Sequence, residues 1–178
     1  TTWISSAERK EDFGMKASKL SLLALSVSLA MILSFVESQI PAFVAIPGVK
    51  VGLPNLVIVF LLYKIGWKES VLVNVLRVVL VSLLFGNVQT LSFSLAGAAL
   101  SLLGMILLKK SEKFSPIAVS IVGGILHNVG QILTACIWTA TPEIAYYLPV
   151  LLLSGTIAGV VIGLVGGMLV ERLDKIKF

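Results

Sequence analysis

Apolar residues occur in six stretches along the chain, and short segments with charged residues, glycine or proline separate them. The stretches are residues 20–35, 53–65, 71–85, 91–108, 116–138 and 148–170. An α-helix needs about 20 mostly apolar residues to cross the hydrocarbon core of a bilayer. The second and third stretches are short for a full crossing, so we expect their ends to lie near the headgroups or against neighbouring helices. The pattern predicts an all-α integral membrane protein with six transmembrane helices.

The composition excludes an ordinary water-soluble domain. Hydrophobic residues make up 57% of the 178 residues and charged residues only 13%, and the mean hydropathy is +1.03, whereas charged residues are about a quarter of a typical soluble domain. The net charge of +5 comes mostly from lysines and arginines between the apolar stretches. We interpret this charge as a membrane-topology signal and expect no nucleic-acid binding.

Lysines and arginines concentrate in every second connection of the chain. They precede the first helix, join the second helix to the third and the fourth to the fifth, and follow the sixth: Arg9, Lys10, Lys16, Lys19, Lys64, Lys68, Lys109, Lys110, Lys113, Arg172, Lys175 and Lys177. The opposite loops contain only Lys50. Because positively charged loops stay on the cytoplasmic side, the pattern predicts that both termini are cytoplasmic.

The first 14 residues are polar, whereas the sequence from Met15 onward resembles a natural protein start. We expect residues 1–14 to be a disordered leader or a cloning remnant, and residues 15–178 to form the transmembrane domain. Cys136 is the only cysteine, which excludes an internal disulfide, an iron–sulfur cluster and a multi-cysteine metal site. We expect no cofactor and no metal.

Small residues on the predicted helices indicate where they pack closely, since helix association in a membrane relies on small side chains and occasional polar contacts. The sixth helix has a glycine at every fourth position, at Gly155, Gly159, Gly163 and Gly167. This seam predicts internal packing, and docking of a separate subunit is the alternative. The first helix has small residues at Ala24, Ser26, Ser28 and Ala30, near a surface that a partner can reach.

The fifth helix has a stripe of small and polar residues on one side and aliphatic residues on the other. The stripe consists of Ser120, Gly123, Gly124, His127, Asn128, Gly130, Gln131 and Thr134. We expect it to form an interior wall of the helix bundle. For His127, the only histidine, a hydrogen-bonded core position competes with a ligand contact.

Arg77 lies near the middle of the third stretch, three residues after Asn74 and on the same helix face. An arginine at that depth costs about 2.5–3.5 kcal/mol, so it must point into the bundle. No aspartate or glutamate lies within any of the six stretches. Either amides of Asn74, Asn128 and Gln131 with backbone carbonyls hold the guanidinium, or an anionic or carbonyl-rich ligand completes the site. A proton or ion relay is a third alternative.

Polar residues near the predicted outer ends are further candidates for a ligand site. Asn55 follows Pro54 at the start of the second helix, whose free amide groups and positive dipole end point outward. Residues 37–50, which include Glu37, and residues 86–90, which include Asn87 and Gln89, are expected to be outer loops. Either loop caps a cavity or merely connects two helices.

Several segments resemble, in order, a family labelled Gx transporter or heptaprenyl diphosphate synthase component I. They are LSLLALSVSLAMIL in the first helix, GVKVGLPNLVIVFLL, LRVVLVSLLFGN, LSFSLAGAALSLLGM and SIVGGILHNVGQI. The resemblance extends from Met15 to Val170. That family is similar to the substrate-binding S components of energy-coupling factor (ECF) transporters, small six-helix proteins that capture vitamins from outside.

The resemblance implies an ECF S-component-like bundle in the bacterial plasma membrane, with a ligand site toward the outer side. Small residues of the first helix contact the coupling subunit in S components, which makes Ala24, Ser28 and Ala30 docking candidates. Some family members are also linked to flavin-based extracellular electron transfer. Prenyl diphosphate synthases resemble one another in DDxxD motifs, but the only aspartates here are Asp12 and Asp174. We therefore expect no catalysis, and no Walker motif is present for ATP hydrolysis.

The leading hypothesis is a substrate-binding subunit for uptake of a small anionic or amphipathic molecule. Its interior site combines Asn74, Arg77, His127, Asn128 and Gln131, with an outer gate near Asn55, Asn87 and Gln89. Its partners are the lipid bilayer, the substrate, and ECF coupling and ATPase subunits. The alternatives are a membrane component of a flavin- or quinone-linked redox assembly, with a flavoprotein partner, and an accessory membrane partner of isoprenoid synthesis.

Overall fold

The computed structural model describes residues 6–39 and 52–172. Six α-helices follow one another: α1 Ser6–Gln39, α2 Asn55–Lys64, α3 Trp67–Phe85, α4 Val88–Lys110, α5 Pro116–Thr139 and α6 Leu148–Arg172. A 3₁₀ turn at Pro142–Tyr147 joins α5 to α6. The described part of the chain contains no strand, so the predicted all-α class is confirmed.

Local sequence signals explain several helix ends. Ser115 caps α5, because its side chain accepts a hydrogen bond from the backbone N–H of Ala118, and Pro116 occupies the first turn. Asn87 caps α4 in the same way through the N–H of Thr90, at 2.8 Å. Gly66 separates α2 from α3 with a φ of +157°, a backbone conformation that L side chains rarely adopt.

Among the described residues, four helical segments are long and apolar enough to cross a membrane: Ala17–Gln39, Val88–Lys110, Pro116–Thr139 and Pro142–Arg172. At 10 residues, α2 is only about 15 Å long and cannot cross by itself. Its 19-residue neighbour α3 contains Lys68, Glu69 and Arg77, which lower its mean hydropathy.

The short helix α2 forms the centre of the core. Ile58, Val59, Leu61 and Leu62 are fully buried, and they pack with Val73, Met105, Val119 and Ile162 from four other helices. Because α1, α3, α5 and α6 all contact α2, its length need not match the bilayer. The sequence predicted that the ends of this short segment lie either near the headgroups or against neighbouring helices, and α2 packs against neighbouring helices.

Helices α4, α5 and α6 pack with their backbones in contact. A methyl group on Gly159 would lie 2.5 Å from the Cα atom of Ile121, and one on Gly130 would lie 2.7 Å from the carbonyl oxygen of Ala96. Gly155 and Gly163 face α5 in the same way, against Gly124 and Ile117. The glycine seam of α6 is therefore an internal interface with α5. The packing is looser at Gly167, where a methyl group would lie 3.8 Å from the Cβ atom of Pro116.

Several basic residues lie at one end of the bundle, which we call the basic end: Lys19, Lys64, Lys68, Lys109, Lys110 and Arg172. Contacts of four of the lysines with other helices or with Trp67 show this. Lys19 pairs with Glu69, Lys109 donates a hydrogen bond to the carbonyl of Leu62, and Lys110 lies 6.0 Å from the Trp67 ring. Gly167 of α6 meets the start of α5 there. The side chains of Arg9, Lys10 and Lys16, and residues 50, 175 and 177, lie outside what the structure describes.

The first helix differs from its prediction at both ends. It continues to Gln39, so Glu37 lies in its last turn, and the placement of this residue in a loop is wrong. Hydropathy marks the part of a helix suited to hydrocarbon, whereas the hydrogen-bonded helix extends beyond it. At the other end, α1 begins at Ser6, within the expected leader of residues 1–14, of which residues 1–5 lie outside the described part.

Candidate functional site

Arg77 is the centre of a polar cluster between α1 and α3, which we call the Arg77 cluster: Ser34, Glu37, Asn74 and Arg77. The Nη2 atom of Arg77 donates a 2.6 Å hydrogen bond to the Oδ1 atom of Asn74, and its Nη1 atom lies 3.4 Å from the hydroxyl of Ser34. Its Nε atom is buried without a hydrogen-bond partner. The guanidinium thus points toward α1 and retains an unused donor.

Glu37 supplies a carboxylate near this cation. It lies one turn after Ser34 on α1 and interacts electrostatically with Arg77, although no ion pair within 4.0 Å forms between them in the described residues. Its Oε1 atom accepts a hydrogen bond from the backbone N–H of Gly52, just before α2. Glu37 therefore connects the Arg77 cluster to the segment that leads into α2.

Asn55 begins α2 close to this connection. Its side-chain nitrogen lies 3.5 Å from the position that a Cβ atom on Gly52 would take. Since α2 is short and its other end lies at the basic end, its N-terminus starts well inside the bundle rather than at its far end. Three predicted site residues, Asn55, Asn74 and Arg77, thus belong to the α1–α2–α3 side of the molecule.

The predicted site residues of α5 lie elsewhere. Asn128 donates a 2.5 Å hydrogen bond to the backbone carbonyl of Leu151 in α6 and is buried. The ring of His127 packs against Gly97 of α4, where a Cβ atom would lie 3.0 Å from its Nδ1 atom. Gln131 is half-buried one turn further along.

The hydrogen bonds described for Arg77 therefore do not include the amides of Asn128 and Gln131 on α5. Helix α3 packs against α1, α2 and α4, whereas α5 packs chiefly against α4 and α6, so α4 stands between them. The predicted amide partners of Arg77 on α5 are corrected accordingly, because its hydrogen bonds go to Asn74 and Ser34. Two residues that lie at the same depth along their helices are neighbours only if the two helices are adjacent.

The two predicted outer-gate residues of the α3–α4 connection are exposed. The side-chain oxygen of Asn87 accepts hydrogen bonds from the N–H and the hydroxyl of Thr90, at 2.8 and 3.0 Å. Capping α4 thus occupies this group. Gln89 is exposed in the first turn of the same helix.

The three docking candidates of α1 face in different directions. Ala24 and Ser28 are exposed, and the Ser28 hydroxyl is hydrogen-bonded to the carbonyl of Ala24 at 3.0 Å. Ala30 is fully buried in the core, so its proposed contact with a partner is corrected: a residue two positions from Ser28 lies on a different helix face. Only Ala24 and Ser28 remain on the exposed face of α1.

The cluster provides hydrogen-bond donors rather than metal ligands. Within the described residues, no group of three or more His, Cys, Asp or Glu residues could hold a metal ion. A guanidinium with a buried unused donor suits an oxygen-bearing ligand. The sequence did not single out Ser34, and it placed Glu37 in an outer loop rather than beside Arg77, although the spacing of three residues between these two polar residues was a visible signal.

The model of a protein family described as heptaprenyl diphosphate synthase component I matches residues 26–169. No curated protein and no solved structure matches the chain. The matched range contains Ser34, Glu37, Asn74 and Arg77, and all six helices contribute to it.

Proposed function

The chain belongs to the heptaprenyl diphosphate synthase component I family, and from this membership we propose that it is a membrane-embedded substrate-binding subunit similar to S components of ECF transporters. Its substrate is a small anionic or amphipathic molecule taken up through the membrane. The chain itself performs no catalysis in this proposal. ATP hydrolysis belongs to separate coupling and ATPase subunits, which dock on the exposed face of α1 at Ala24 and Ser28.

The observation that carries this proposal is the placement of Arg77. A cation in the middle of an apolar bundle is costly, and such residues usually serve ligand or ion binding. Its hydrogen bonds go to neutral groups, and the nearby carboxylate of Glu37 is engaged by Gly52. An oxygen group of a substrate would add the partner that the buried Nε atom lacks.

The remaining predicted residues do not make the first contact with the substrate in this proposal. Asn55 lines the approach from the segment before α2, while Asn87 and Gln89 form the outer rim. His127, Asn128 and Gln131 form the opposite wall beyond α4, where a substrate reaches them only if α4 moves. We therefore assign first contact to Asn74 and Arg77.

The proposal includes six helices embedded in the bacterial plasma membrane, with the basic end in the cytoplasm. The clustering of basic side chains at one end of the bundle supports this orientation, because such residues remain on the cytoplasmic side. Both termini are then cytoplasmic. The 3₁₀ turn with Tyr146 and Tyr147 faces the outside, where aromatic residues favour the membrane interface.

Binding to the full chain in lipid nanodiscs tests the site. The probes are butyrate, dodecanoate, glycerol phosphate and dodecyl phosphate, which vary the charge and the apolar chain separately. Arg77→Gln should weaken binding of at least one probe by about tenfold or more, because it removes a charge-assisted donor. Arg172→Gln, at the exposed end of α6, is the matched control and should leave affinity unchanged. Equal affinities in both variants would contradict the proposed site.

The family description itself favours a second candidate, an accessory membrane component of isoprenoid synthesis. Affinity purification of the full chain in mild detergent separates the candidates by the partner recovered. Coupling and ATPase subunits would support the transport proposal, and a prenyltransferase would support the second candidate. A flavoprotein would instead indicate a membrane component of a redox assembly.

A further inference from the structure

Helices α3 and α4 leave a cleft between them that the Arg77 cluster does not fill. Its volume is about 290 Å³, and nine residues line it: Val71, Asn74, Val75, Leu95, Ala98, Ala99, Leu102, Leu103 and Ile106. Asn74 alone among these carries a polar side chain. Val75, Ala99 and Leu103 are exposed and form its mouth on the outer surface of the bundle. The cleft is thus an apolar recess that opens sideways, toward lipid.

The polar side chain in this recess has an unused donor. The Oδ1 atom of Asn74 accepts the 2.6 Å hydrogen bond from Arg77, so the NH₂ group of the same carboxamide remains. No hydrogen bond within the described residues uses that NH₂ group. Asn74 is 3% exposed, and the neighbouring cation polarises its amide, which strengthens the donor. The wall of the cleft therefore presents one oriented N–H donor among apolar side chains.

We infer that the cleft binds the apolar part of a membrane-dissolved substrate, and that the NH₂ group of Asn74 donates a hydrogen bond to a carbonyl oxygen on that substrate. This inference rests on the proposed function, whose substrate class it narrows to a carbonyl-bearing amphiphile. A volume of 290 Å³ corresponds to about ten non-hydrogen atoms at roughly 30 Å³ each, a ring or a short branched chain. The rest of the molecule extends through the mouth into the bilayer.

An ordinary lipid chain fits this cleft poorly. A saturated chain would leave the Asn74 donor unpaired in an apolar setting, which is unfavourable. The ester carbonyls of phospholipids lie near the headgroups. Asn74 lies seven residues after Trp67, about 10 Å into the helix from the basic end. A carbonyl group that reaches this depth belongs to a molecule dissolved in the bilayer interior.

A neutral carbonyl suits the local charge. The polar group that lines the cleft is the neutral carboxamide of Asn74, so the cleft presents a polarised amide rather than a full positive charge. The guanidinium itself points toward α1 and Ser34. A carbonyl oxygen needs only the single donor that Asn74 has free.

Photolabelling of the full chain in nanodiscs tests this inference. The probe is a methyl ketone of about ten carbons with a diazirine in its chain, and labelled residues are located by mass spectrometry. We expect labels on Val75, Ala99 and Leu103. The unlabelled ketone should compete for these positions about tenfold better than the alkane of equal length. Labels spread evenly over all exposed helix faces, or equal competition by ketone and alkane, would overturn the inference.

Two variants separate the cleft from the surrounding lipid. Asn74→Leu keeps the size of the side chain and removes the donor, so it should abolish the preference for ketone over alkane. Ala99→Phe fills the mouth and should prevent labelling. Leu164→Phe, on the exposed face of α6, is the matched control and should leave labelling unchanged. If Asn74→Leu does not fold, Ala99→Phe decides alone, and labelling that persists in Ala99→Phe refutes the cleft.

The outcomes also separate this inference from the proposed function. If ketone labelling of the cleft is non-specific while Arg77→Gln still weakens binding of butyrate or glycerol phosphate, the cleft inference fails and the proposed function stands. If no probe depends on Arg77 but the ketone labels the cleft in an Asn74-dependent way, the cleft binds a carbonyl amphiphile and the proposed transport site fails.

Discussion

Arg77 and Asn128 are two buried polar residues with different partners. Arg77 reaches side chains of its own helix and of α1, and it leaves one donor unused. Asn128 reaches the backbone of α6. A neutral side chain that bonds the backbone of a second helix contributes to folding, whereas a buried cation with neutral partners costs free energy. We therefore expect Arg77 to matter for binding and Asn128 for stability.

Replacing Arg77 by methionine should raise stability while binding is lost. The change removes a burial cost of about 2.5–3.5 kcal/mol and leaves the carboxamide oxygen of Asn74 without its donor, which costs about 1 kcal/mol. The free energy of unfolding should therefore rise by about 1.5–2.5 kcal/mol. Reversible unfolding in mixed micelles measures it. A large loss of stability would show that the guanidinium holds α1 to α3 and is chiefly structural.

Replacing Asn128 by alanine should lower the free energy of unfolding by about 1 kcal/mol, since hydrogen bonds between membrane helices are worth about that much. The hydrogen bond to the carbonyl of Leu151 is lost, while Arg77 is untouched. Thr139→Ala is the matched control, because the Thr139 hydroxyl bonds only within its own helix, to Ala135. If both variants unfold alike, Asn128 does not hold α5 to α6.

At the scale of helices, the molecule has a tightly packed half and a looser half. Glycines bring the backbones of α4, α5 and α6 into contact, whereas the interface of α3 with α4 leaves the cleft of 290 Å³. Helix α2 fills the core between them. Small residues at an interface allow close approach without a large apolar driving force. The cleft thus lies at an interface where glycine contacts are absent.

The glycine seam of α6 permits a matched pair of substitutions. Gly159→Ala places a methyl group 2.5 Å from the Cα atom of Ile121, and backbone there cannot shift without separating the helices. We expect a loss of about 2 kcal/mol from overpacking. Gly167→Ala belongs to the same four-residue series but meets Pro116 only at 3.8 Å, so its stability should be unchanged or slightly higher.

Unfolding of the two glycine variants in mixed micelles measures the difference. Equal stabilities would mean that α5 and α6 do not approach each other as closely as the seam requires. Gly166 lies next to Gly167 and faces α2, where a methyl group on it would lie 3.2 Å from the Cγ1 atom of Val59. The seam toward α5 and the contact toward α2 are therefore separate interfaces on one helix.

At the scale of the whole molecule, charge is distributed unevenly between the two ends. Lysines from the end of α4 and the start of α3 lie near aromatic rings, with Lys109 5.4 Å from the Tyr63 ring and Lys68 5.6 Å from the Trp67 ring. The opposite end has the exposed aromatic residues Trp138, Tyr146 and Tyr147. A basic end and an aromatic end suit the two faces of a bilayer.

Labelling of single cysteines in intact cells tests this orientation. In a Cys136→Ser background, Glu143→Cys at the aromatic end should react with a membrane-impermeant maleimide. Lys113→Cys, in the connection between α4 and α5, should react only after the membrane is opened. The reverse pattern would place the basic end outside, and labelling of both positions in intact cells would contradict a fixed orientation.

The amino-acid sequence by itself determined the fold class and the helix positions of this protein, because the length and spacing of apolar runs directly reflect what a bilayer requires. It also singled out Arg77, since a cation inside an apolar run is conspicuous in any arrangement. Tertiary structure decided the neighbours of Arg77. Sequence shows how deep a residue lies along its own helix but not which helices are adjacent, and so it joined Arg77 to His127 and Gln131.

Because sequence does not show which helices are adjacent, it could not predict the roles of Ser34 and Glu37 or the presence of the cleft. Ser34 and Glu37 are ordinary polar residues in sequence, and they gain importance only because α1 packs against α3 and the chain returns at Gly52. The cleft exists because α3 and α4 meet without glycines, a property of two helices together rather than of either alone. Hydropathy decides which segments enter the membrane, and side-chain packing between segments decides where a ligand fits.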